Sequence, residues 1–160
     1  MSTYNGEKFI VEQLDSIIDQ KDVECSLFIR DDGSSDNTLN IIEEYKDKHP
    51  NFYIEIITGK NLGVARSFMF LLDYVSVRMD FDYFAFADQD DYWFNDKISC
   101  AIKSLQGNDS RPRLYMSQFQ MADVLLNKIE TPLLKPKLKL ENALANNIAT
   151  GCTMVFNKHL

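Results

Sequence analysis

Apolar residues recur with helical spacing in four segments of the chain, and each segment predicts an amphipathic helix. The first segment covers residues 7–20. We expect Ser35 or Asp36 to cap the second helix. The third follows a turn that ends at Gly63, and Asn95 is expected to cap the fourth. The apolar positions of the four helices are, in order, Ile10, Leu14, Ile17 and Ile18; Leu39, Ile42 and Tyr45; Val64, Phe68, Leu71, Leu72 and Val75; and Ile98, Ala101, Ile102 and Leu105.

Short runs rich in β-branched and aromatic residues lie between and after these helices, and they predict strands. Strand and helix alternate through short connections, which is typical of an α/β fold with a mostly parallel central sheet and helices on both faces. No linker or internal repeat divides the chain, so we expect a single domain over residues 1–160. Residues 127–140 are expected to be irregular, and residues 141–147 to form one or two helical turns. The predicted strands are 26–30, 52–58, 83–87, 113–121 and 151–156.

A cluster of carboxylates follows the strand predicted at residues 83–87. It consists of Asp88, Asp90 and Asp91. Ligands of open α/β sheets bind at the carboxyl ends of the strands. Carboxylate oxygens suit hard cations such as Mg²⁺ or Mn²⁺, which also bind substrate phosphates. An acidic, solvated turn is the alternative, but the apolar run before the cluster and the aromatic run after it favour a site.

Two adjacent carboxylates, Asp31 and Asp32, follow the strand predicted at residues 26–30. Turn formation and helix capping explain the polar residues after them, but not a pair of acids directly after an apolar strand. A carboxylate can accept the imide N–H of a uracil or thymine ring, or a hydrogen bond from a ribose. The pair therefore indicates a second part of the same site, beside its alternative role in the turn.

Two further segments carry weaker signals. Gly63 permits a tight entry into a helix, and Arg66 lies on the first turn of that helix. A helix N-terminus with a guanidinium suits a diphosphate, although a solvated surface arginine is the alternative. Near the start of the chain, Tyr4 can stack on a base and Gly6 frees the backbone before a helix. A plain turn is the alternative there.

Charge and missing motifs exclude several classes of function. The 160 residues have a net charge of −7, which disfavours nucleic-acid binding because phosphate contacts need a basic surface. No apolar run approaches the roughly 18 residues of a membrane span. Glycine-rich nucleotide loops are absent, which disfavours a dinucleotide dehydrogenase and a P-loop nucleotidase. The three cysteines, Cys25, Cys100 and Cys152, are expected to be buried free thiols in a reducing compartment.

Taken together, four strings resemble those of the bacterial family 2 glycosyltransferases, which have the GT-A fold. The resemblance extends from Ser2 to about Phe156. Its acidic string looks most like the rhamnosyltransferase-type members of cell-surface polysaccharide pathways. The four strings are Thr3-Tyr4-Asn5-Gly6, Arg30-Asp31-Asp32-Gly33-Ser34-Ser35-Asp36, Asn61-Leu62-Gly63-Val64-Ala65-Arg66 and Asp88-Gln89-Asp90-Asp91-Tyr92-Trp93.

The resemblance implies a nucleoside-diphosphate sugar as donor, linked to dTDP or UDP. Thr3 and Tyr4 would hold the base, and Asp32 would accept its imide N–H. Arg66 would lie near the base and the diphosphate. A sugar or a lipid-linked sugar would be the acceptor, and its hydroxyl would displace the nucleotide with inversion of the anomeric carbon.

The resemblance also implies a divalent cation, Mn²⁺ or Mg²⁺, held by a D-x-D pair. Asp88 would face the ribose or a metal-bound water, and Asp90 would bind the ion. Such an ion neutralises charge on the diphosphate leaving group. Inverting transfer also needs a general base for the acceptor hydroxyl. The resemblance implies an Asp or Glu, which we expect beyond Leu160.

Compared with the family pattern, the chain looks truncated at both ends. The strand that precedes the first motif is expected to be short or missing, and the acceptor-binding part to be incomplete after about residue 113. The family implies a cytoplasmic location, with possible peripheral contact with the inner membrane face. Lys128, Lys135, Lys137 and Lys139 would supply that contact, unless they lie in a solvated loop.

Two other functions stay open. The chain can be a nucleotide-sugar-binding module that lacks catalysis, because the donor motifs are intact while the ends look incomplete. Metal-dependent nucleotide binding without turnover would indicate that function. A sugar-nucleotide pyrophosphorylase shares the fold class but needs a basic, glycine-rich N-terminal loop, which residues 1–30 lack.

Overall fold

The computed structural model describes residues 1–107, 110–130 and 150–160. It contains four α-helices and six β-strands within these ranges. In chain order they are β1 (Ser2–Thr3), α1 (Ile10–Ile18), β2 (Ser26–Asp31), α2 (Thr38–Lys48), β3 (Tyr53–Thr58), α3 (Val64–Ser76), β4 (Tyr83–Ala85), α4 (Lys97–Leu105), β5 (Leu114–Met116) and β6 (Met154–Asn157). A single 3₁₀ turn, Gly151–Thr153, leads into β6.

All four predicted helices and all five predicted strands are present, most of them shorter than predicted. The Asp36 carboxylate accepts the N–H of Thr38, the first residue of α2, at 3.0 Å, but Asn37 occupies the N-cap position, so neither Ser35 nor Asp36 is the N-cap residue. Asn95 was the wrong choice for α4, because that helix begins at Lys97 with Asp96 at its N-cap position. The helical turns predicted at residues 141–147 lie outside the described residues, as do residues 131–140 of the irregular segment.

The strands form two sheets of different kinds. The first has the order β1-β2-β3 and is parallel throughout, with Ser2 opposite Arg30 and Ser26 opposite Tyr53. The second has the order β4-β6-β5, and β6 runs antiparallel to both of its neighbours. The α/β class is confirmed, but parallel pairing holds for the first sheet alone. Hydrophobic periodicity locates a strand without giving its direction, which is why the sequence did not predict the antiparallel sheet.

Helices cover both faces of the parallel sheet, as predicted. Alternate residues of β2 point to opposite faces. Leu27 and Ile29 pack in the main core with α1 and α2, while Phe28 packs on the other face with Leu71 and Val75 of α3. The strand is therefore apolar on both sides, which is why its sequence is a continuous apolar run and not an alternating one.

β1 is much shorter than β2 and β3, in agreement with the expected short first strand. Its two residues pair with Arg30 and Asp31 alone. Beside it, a cavity of about 350 Å³ lies between β2 and β4, lined by Phe28, Phe84 and Phe156 among others. Among the described helices, none has the length and apolar character that crossing a bilayer requires.

The three cysteines are all free but differ in burial. Cys152 is buried, Cys25 is half-buried and Cys100 is exposed. The expectation of three buried thiols is therefore wrong for Cys100, which lies on the solvent side of the amphipathic helix α4. The neighbouring Ser99 and Ala101 are the buried positions of that turn.

Candidate functional site

The acidic loop, residues 88–91, begins three residues after the last residue of β4 and lies beside the turn that precedes β6. One carboxylate oxygen each of Asp88 and Asp91 and the sulfur of Cys152 all lie within 4.8 Å of one another. Pairing of β4 with β6 brings this turn to the loop. Asp90 is exposed and lies outside the close group. The structure thus pairs Asp88 with Asp91, whereas the sequence pattern pairs it with Asp90.

Burial and neighbouring negative charges shift the pKa values of Asp88 and Cys152. Burial, together with the negative charges of Asp91 and Asp90, raises the pKa of Asp88. Burial also raises the pKa of Cys152 to about 12, and a hydrogen bond to Asp91 adds to the effect. The thiol is therefore protonated at neutral pH and acts as a donor to the acidic loop.

Lys97 supplies a positive charge to this acidic group, a role that the sequence pattern did not indicate. Its ammonium nitrogen lies 3.9 Å from the centre of the Trp93 ring and donates to the carbonyl oxygen of Cys152. Burial lowers the pKa of Lys97 to about 8, against the charges of Asp91 and Asp88, which raise it. Lys97 follows the three carboxylates in sequence, six residues after Asp91, and this proximity was a weak signal of an ionic contact. Exposed lysines are common beside such clusters, so the signal is not specific.

The segment after β1 contacts the acidic loop through Gln89. The N–H of Tyr4 donates to Gln89 Oε1 at 2.8 Å, and Gln89 Nε2 donates to the Tyr4 carbonyl at 3.1 Å. Gly6 lies against the same side chain, and the Tyr4 residue itself is 48% exposed. The structure thus brings Tyr4 next to the loop that contains Asp88. Gln89 was not among the residues predicted for the site, because no local pattern distinguishes its amide from that of a surface glutamine.

The hydrogen bonds of the Asp31 carboxylate hold the turn after β2. Its carboxylate accepts the N–H groups of Gly33 and Ser34, at 3.1 and 2.9 Å. It also accepts the hydroxyl of Thr3 at 3.1 Å. Thr3 is 1% exposed, so its side chain joins the ends of β1 and β2 and has little surface to offer a ligand.

The Asp32 carboxylate is surrounded by hydrogen-bond donors. It accepts bonds from the Arg30 guanidinium, from the Leu62 N–H at 2.9 Å to both oxygens, and from the Gly63 N–H at 2.8 Å. Burial opposes its ionisation, but these donors outweigh burial and lower the pKa of Asp32. A carboxylate has about four acceptor positions, and these four hydrogen bonds occupy them all, so a base can reach Asp32 only in place of one of the present donors.

Arg30 organises the loop between β3 and α3. Besides Asp32, its guanidinium donates to the Lys60 carbonyl at 2.9 Å and to the Ser67 hydroxyl at 3.2 Å. It lies against Gly59, where an added Cβ would be 2.6 Å from a terminal nitrogen of Arg30. Arg30 was not among the residues predicted for the site. A cation at the end of an apolar strand, directly before two carboxylates, was a signal of a buried ion pair.

Arg66 lies on the first turn of α3 and is exposed. The helix starts after Gly63, whose φ of 79° lies in the left-handed region that favours glycine. The next residue, Ser67, accepts a hydrogen bond from Ser2 at 2.7 Å, which ties this helix start to β1. Arg66 therefore stands at the same edge of the sheet as Tyr4 and Asp32. No contact between Arg66 and the acidic loop is recorded in the described part of the chain.

Comparison with known proteins gives a consistent family assignment. The model of the glycosyl transferase family 2 matches residues 1–157. The dTDP-rhamnosyl transferase RfbG of Shigella flexneri is 48% identical over 112 residues, which are 69% of this chain and 38% of that protein. The UDP-Glc:alpha-D-GlcNAc-diphosphoundecaprenol beta-1,3-glucosyltransferase WfgD of Escherichia coli is 28% identical over 162 residues, covering 100% of this chain and 59% of that protein. The chain thus spans about two fifths to three fifths of the length of these relatives.

Solved structures agree on the fold. S. aureus TarS 1-349 superposes with a TM-score of 0.66 at 22% identity, over 98% of this chain and 45% of that chain. Its complex with UDP gives a TM-score of 0.52 at 27% identity, over 64% of this chain and 29% of that chain. The GT-A fold that the motifs implied is confirmed, as is the resemblance to the bacterial, rhamnosyltransferase-like members. The chain belongs to the glycosyl transferase family 2.

Proposed function

We propose that the chain is the donor-binding part of a glycosyltransferase, which transfers a sugar from a nucleoside diphosphate to a hydroxyl acceptor with inversion. The observation that carries this proposal is the pairing of Gln89 with Tyr4, because it joins an exposed aromatic ring to a loop of three carboxylates. A base and a diphosphate lie at opposite ends of the nucleotide part of one donor. A site for this nucleotide needs an aromatic ring for the base close to carboxylates that hold a metal ion for the diphosphate.

The donor base is thymine or uracil in this proposal. The name of RfbG contains dTDP, and TarS was solved with UDP. Both bases carry an imide N–H, which the Asp32 carboxylate can accept in place of one of its present donors. The ring of Tyr4 stacks on the base, and Thr3 acts indirectly by fixing Asp31. Arg66 and the N-terminal turn of α3 face the diphosphate, since a guanidinium and free N–H groups both favour it.

A divalent cation fits the acidic loop. Oxygen atoms of Asp88 and Asp91 lie close together, and Asp90 is exposed between them in sequence. Mg²⁺ and Mn²⁺ prefer such oxygen ligands, whereas the Cys152 thiol is protonated and a poor ligand for them. We propose that Asp88 and Asp90 hold the ion, with Asp91 as the rival second ligand. When bound, the ion neutralises charge that develops on the diphosphate leaving group.

Calorimetric titration of UDP and dTDP tests the donor site. We expect binding by the folded chain in Mn²⁺ that weakens at least tenfold when the metal is removed. Asp90→Ala should abolish the metal dependence, while Asp91→Ala should preserve it. If Asp91→Ala alone removes the dependence, the structural pair Asp88 and Asp91 is the metal site. A folded chain that binds neither nucleotide under any of these conditions would overturn the proposal.

The acceptor part of the proposal concerns the whole protein. We propose a sugar or lipid-linked sugar acceptor in cell-surface polysaccharide synthesis, supported by the diphosphoundecaprenol in the name of WfgD. Residues after about 113 would provide part of the acceptor site. Exposed Lys128 supports peripheral contact with the cytoplasmic membrane face, while Lys135, Lys137 and Lys139 lie outside the described residues. Activity is measured as hydrolysis of the donor or as transfer of its sugar. Nucleotide binding without either reaction would instead favour the non-catalytic binding module.

A further inference from the structure

Gln89, the residue between the two carboxylates of the D-x-D string, uses both ends of its side-chain amide on the backbone of one residue in another loop. Its Oε1 accepts the Tyr4 N–H at 2.8 Å and its Nε2 donates to the Tyr4 carbonyl at 3.1 Å. The two residues are separated by 85 positions in the chain. A pair of bonds in opposite directions fixes both the distance and the orientation of the partners, as a single bond would not.

The loop of Tyr4 is built around this contact. A Cβ at Gly6 would lie 2.7 Å from the Cδ atom of Gln89, so glycine is needed there to admit the amide. The other side of the same loop is attached to the start of α2. The Gly6 N–H donates to the Thr38 hydroxyl at 2.7 Å, and the Asn5 N–H donates to the Ser34 hydroxyl at 2.9 Å. Gln89 thus connects the acidic loop to a loop that is otherwise held by the first sheet and its helices.

We propose that Gln89 is a positioning residue that couples metal binding at the acidic loop to base binding at Tyr4. The inference rests on the proposed function, because it concerns the two halves of the donor site. Ordering the acidic loop around an ion also orders the Tyr4 peptide through the two hydrogen bonds. A nucleotide that arrives second then meets a loop that is already ordered, so it binds more tightly. By linkage, bound nucleotide must strengthen metal binding by the same factor.

The coupling is measured with UDP and Mn²⁺ by calorimetry. The Kd of UDP is determined with and without Mn²⁺, and the Kd of Mn²⁺ with and without UDP. Couplings between sites are typically about 5- to 150-fold. We expect Gln89→Met, which keeps the length of the side chain without its hydrogen bonds, to reduce the wild-type coupling at least fivefold. The Kd values of each ligand alone should change by less than threefold, since Gln89 contacts neither ligand in this account.

Gly6→Ala tests the same contact from the other side. The added methyl group displaces the Gln89 amide, so this variant should lose the coupling to the same extent as Gln89→Met. Gly6→Ala combined with Gln89→Ala should be no worse than Gln89→Ala alone, because the smaller side chain leaves room for the methyl group. Gln106→Met, an exposed glutamine after α4, is the matched control and should keep the wild-type coupling.

The outcomes separate this inference from the proposed function. Wild-type protein that binds no nucleotide overturns the proposed function and the coupling with it. Wild-type protein that shows metal–nucleotide coupling, with Gln89→Met retaining that coupling within twofold, overturns the inference alone. A decrease in the affinity for UDP that is equal with and without Mn²⁺ also overturns it, because that result indicates a merely structural role. If Gln89→Met does not fold, the metal–nucleotide coupling of Gly6→Ala is measured instead, and coupling retained within twofold in that variant overturns the inference.

Discussion

The guanidinium of Arg30 and the carboxylate of Asp32 form an ion pair whose side chains are 4% and 3% exposed. The two residues are separated by one position at the end of β2, so their side chains point to the same face of the strand. Burial of two charges is tolerated because other donors and acceptors complete their hydrogen bonding. Leu62 and Gly63 donate to the carboxylate, and Lys60 accepts from the guanidinium. The pair therefore holds the whole connection between β3 and α3 against β2.

Removing the cation of this pair should destabilise the protein strongly. Arg30→Met leaves the Asp32 carboxylate buried with its backbone donors alone. Breaking a buried pair in this way costs about 3–5 kcal/mol of unfolding free energy. Urea denaturation followed by circular dichroism measures the loss, and the double variant Arg30→Met/Asp32→Asn should recover part of it. A loss below about 1 kcal/mol in Arg30→Met would contradict the role given to the pair.

The same pair predicts a pH dependence of stability. The pKa of Asp32 is lowered in the folded protein, so its carboxylate stabilises the fold at pH values above the ordinary carboxyl pKa of about 4. That contribution is lost as pH falls through the lower, folded pKa. The difference in unfolding free energy between wild type and Asp32→Asn should therefore be largest near neutral pH and should shrink below about pH 4. A difference that is constant from pH 7 to pH 3 would show that folding does not lower the pKa of Asp32.

Gly59 is expected to be essential for the position of Arg30. In Gly59→Ala the new Cβ would lie 2.6 Å from a guanidinium nitrogen, and Arg30 is held by Asp32, Lys60 and Ser67. We expect a loss of about 1–3 kcal/mol in unfolding free energy, typical of overpacking. Gly151→Ala is the matched control, because no described atom lies within 4 Å of the position of its Cβ. Equal stability of the two variants in urea would argue against the steric explanation.

The sequence predicted which segments contribute to the candidate site, but it did not predict the contacts between those segments. Strand ends and turn residues follow from local pattern, so Asp32 and the Asp88 loop were each predicted to follow a strand, as they do in the structure. The antiparallel pairing of β6 with β4 depends on contacts distant in sequence, and that pairing brings Cys152 beside Asp88. No local pattern encodes such a contact. For the same reason Gln89 looked like the variable position of a motif, and its bonds to Tyr4 were not predicted.

Tyr4 should contribute binding free energy without contributing much to stability. The residue is 48% exposed, and its hydrogen bonds to Gln89 come from the backbone, which substitution keeps. Stacking of a base on an aromatic ring is worth about 1–3 kcal/mol when tested by alanine substitution, so Tyr4→Ala should weaken UDP binding about 5- to 150-fold. Tyr4→Phe keeps the ring and should bind as the wild type does. Calorimetry in Mn²⁺ measures both, and comparable weakening in the two variants would indicate a role for the hydroxyl instead of stacking.

Lys97 gives a second pH dependence, of the same direction as that of Asp32 but in an alkaline range. Its folded pKa is about 8, below the roughly 10.4 of an exposed lysine. Between these values the unfolded chain binds more protons than the folded one, so rising pH favours the fold. Relative to Lys97→Met, the wild type should therefore gain up to about 3 kcal/mol of unfolding free energy from pH 7.5 to pH 10.5.

The comparison with Lys97→Met isolates this effect because all other titrating groups are shared. Measurements in urea with a chelator present exclude changes in metal binding. Lys103→Met, an exposed lysine on the same helix, is the matched control and should show no such trend. If the stability of the wild type relative to Lys97→Met is flat or falls with pH, Lys97 is not a partly desolvated cation.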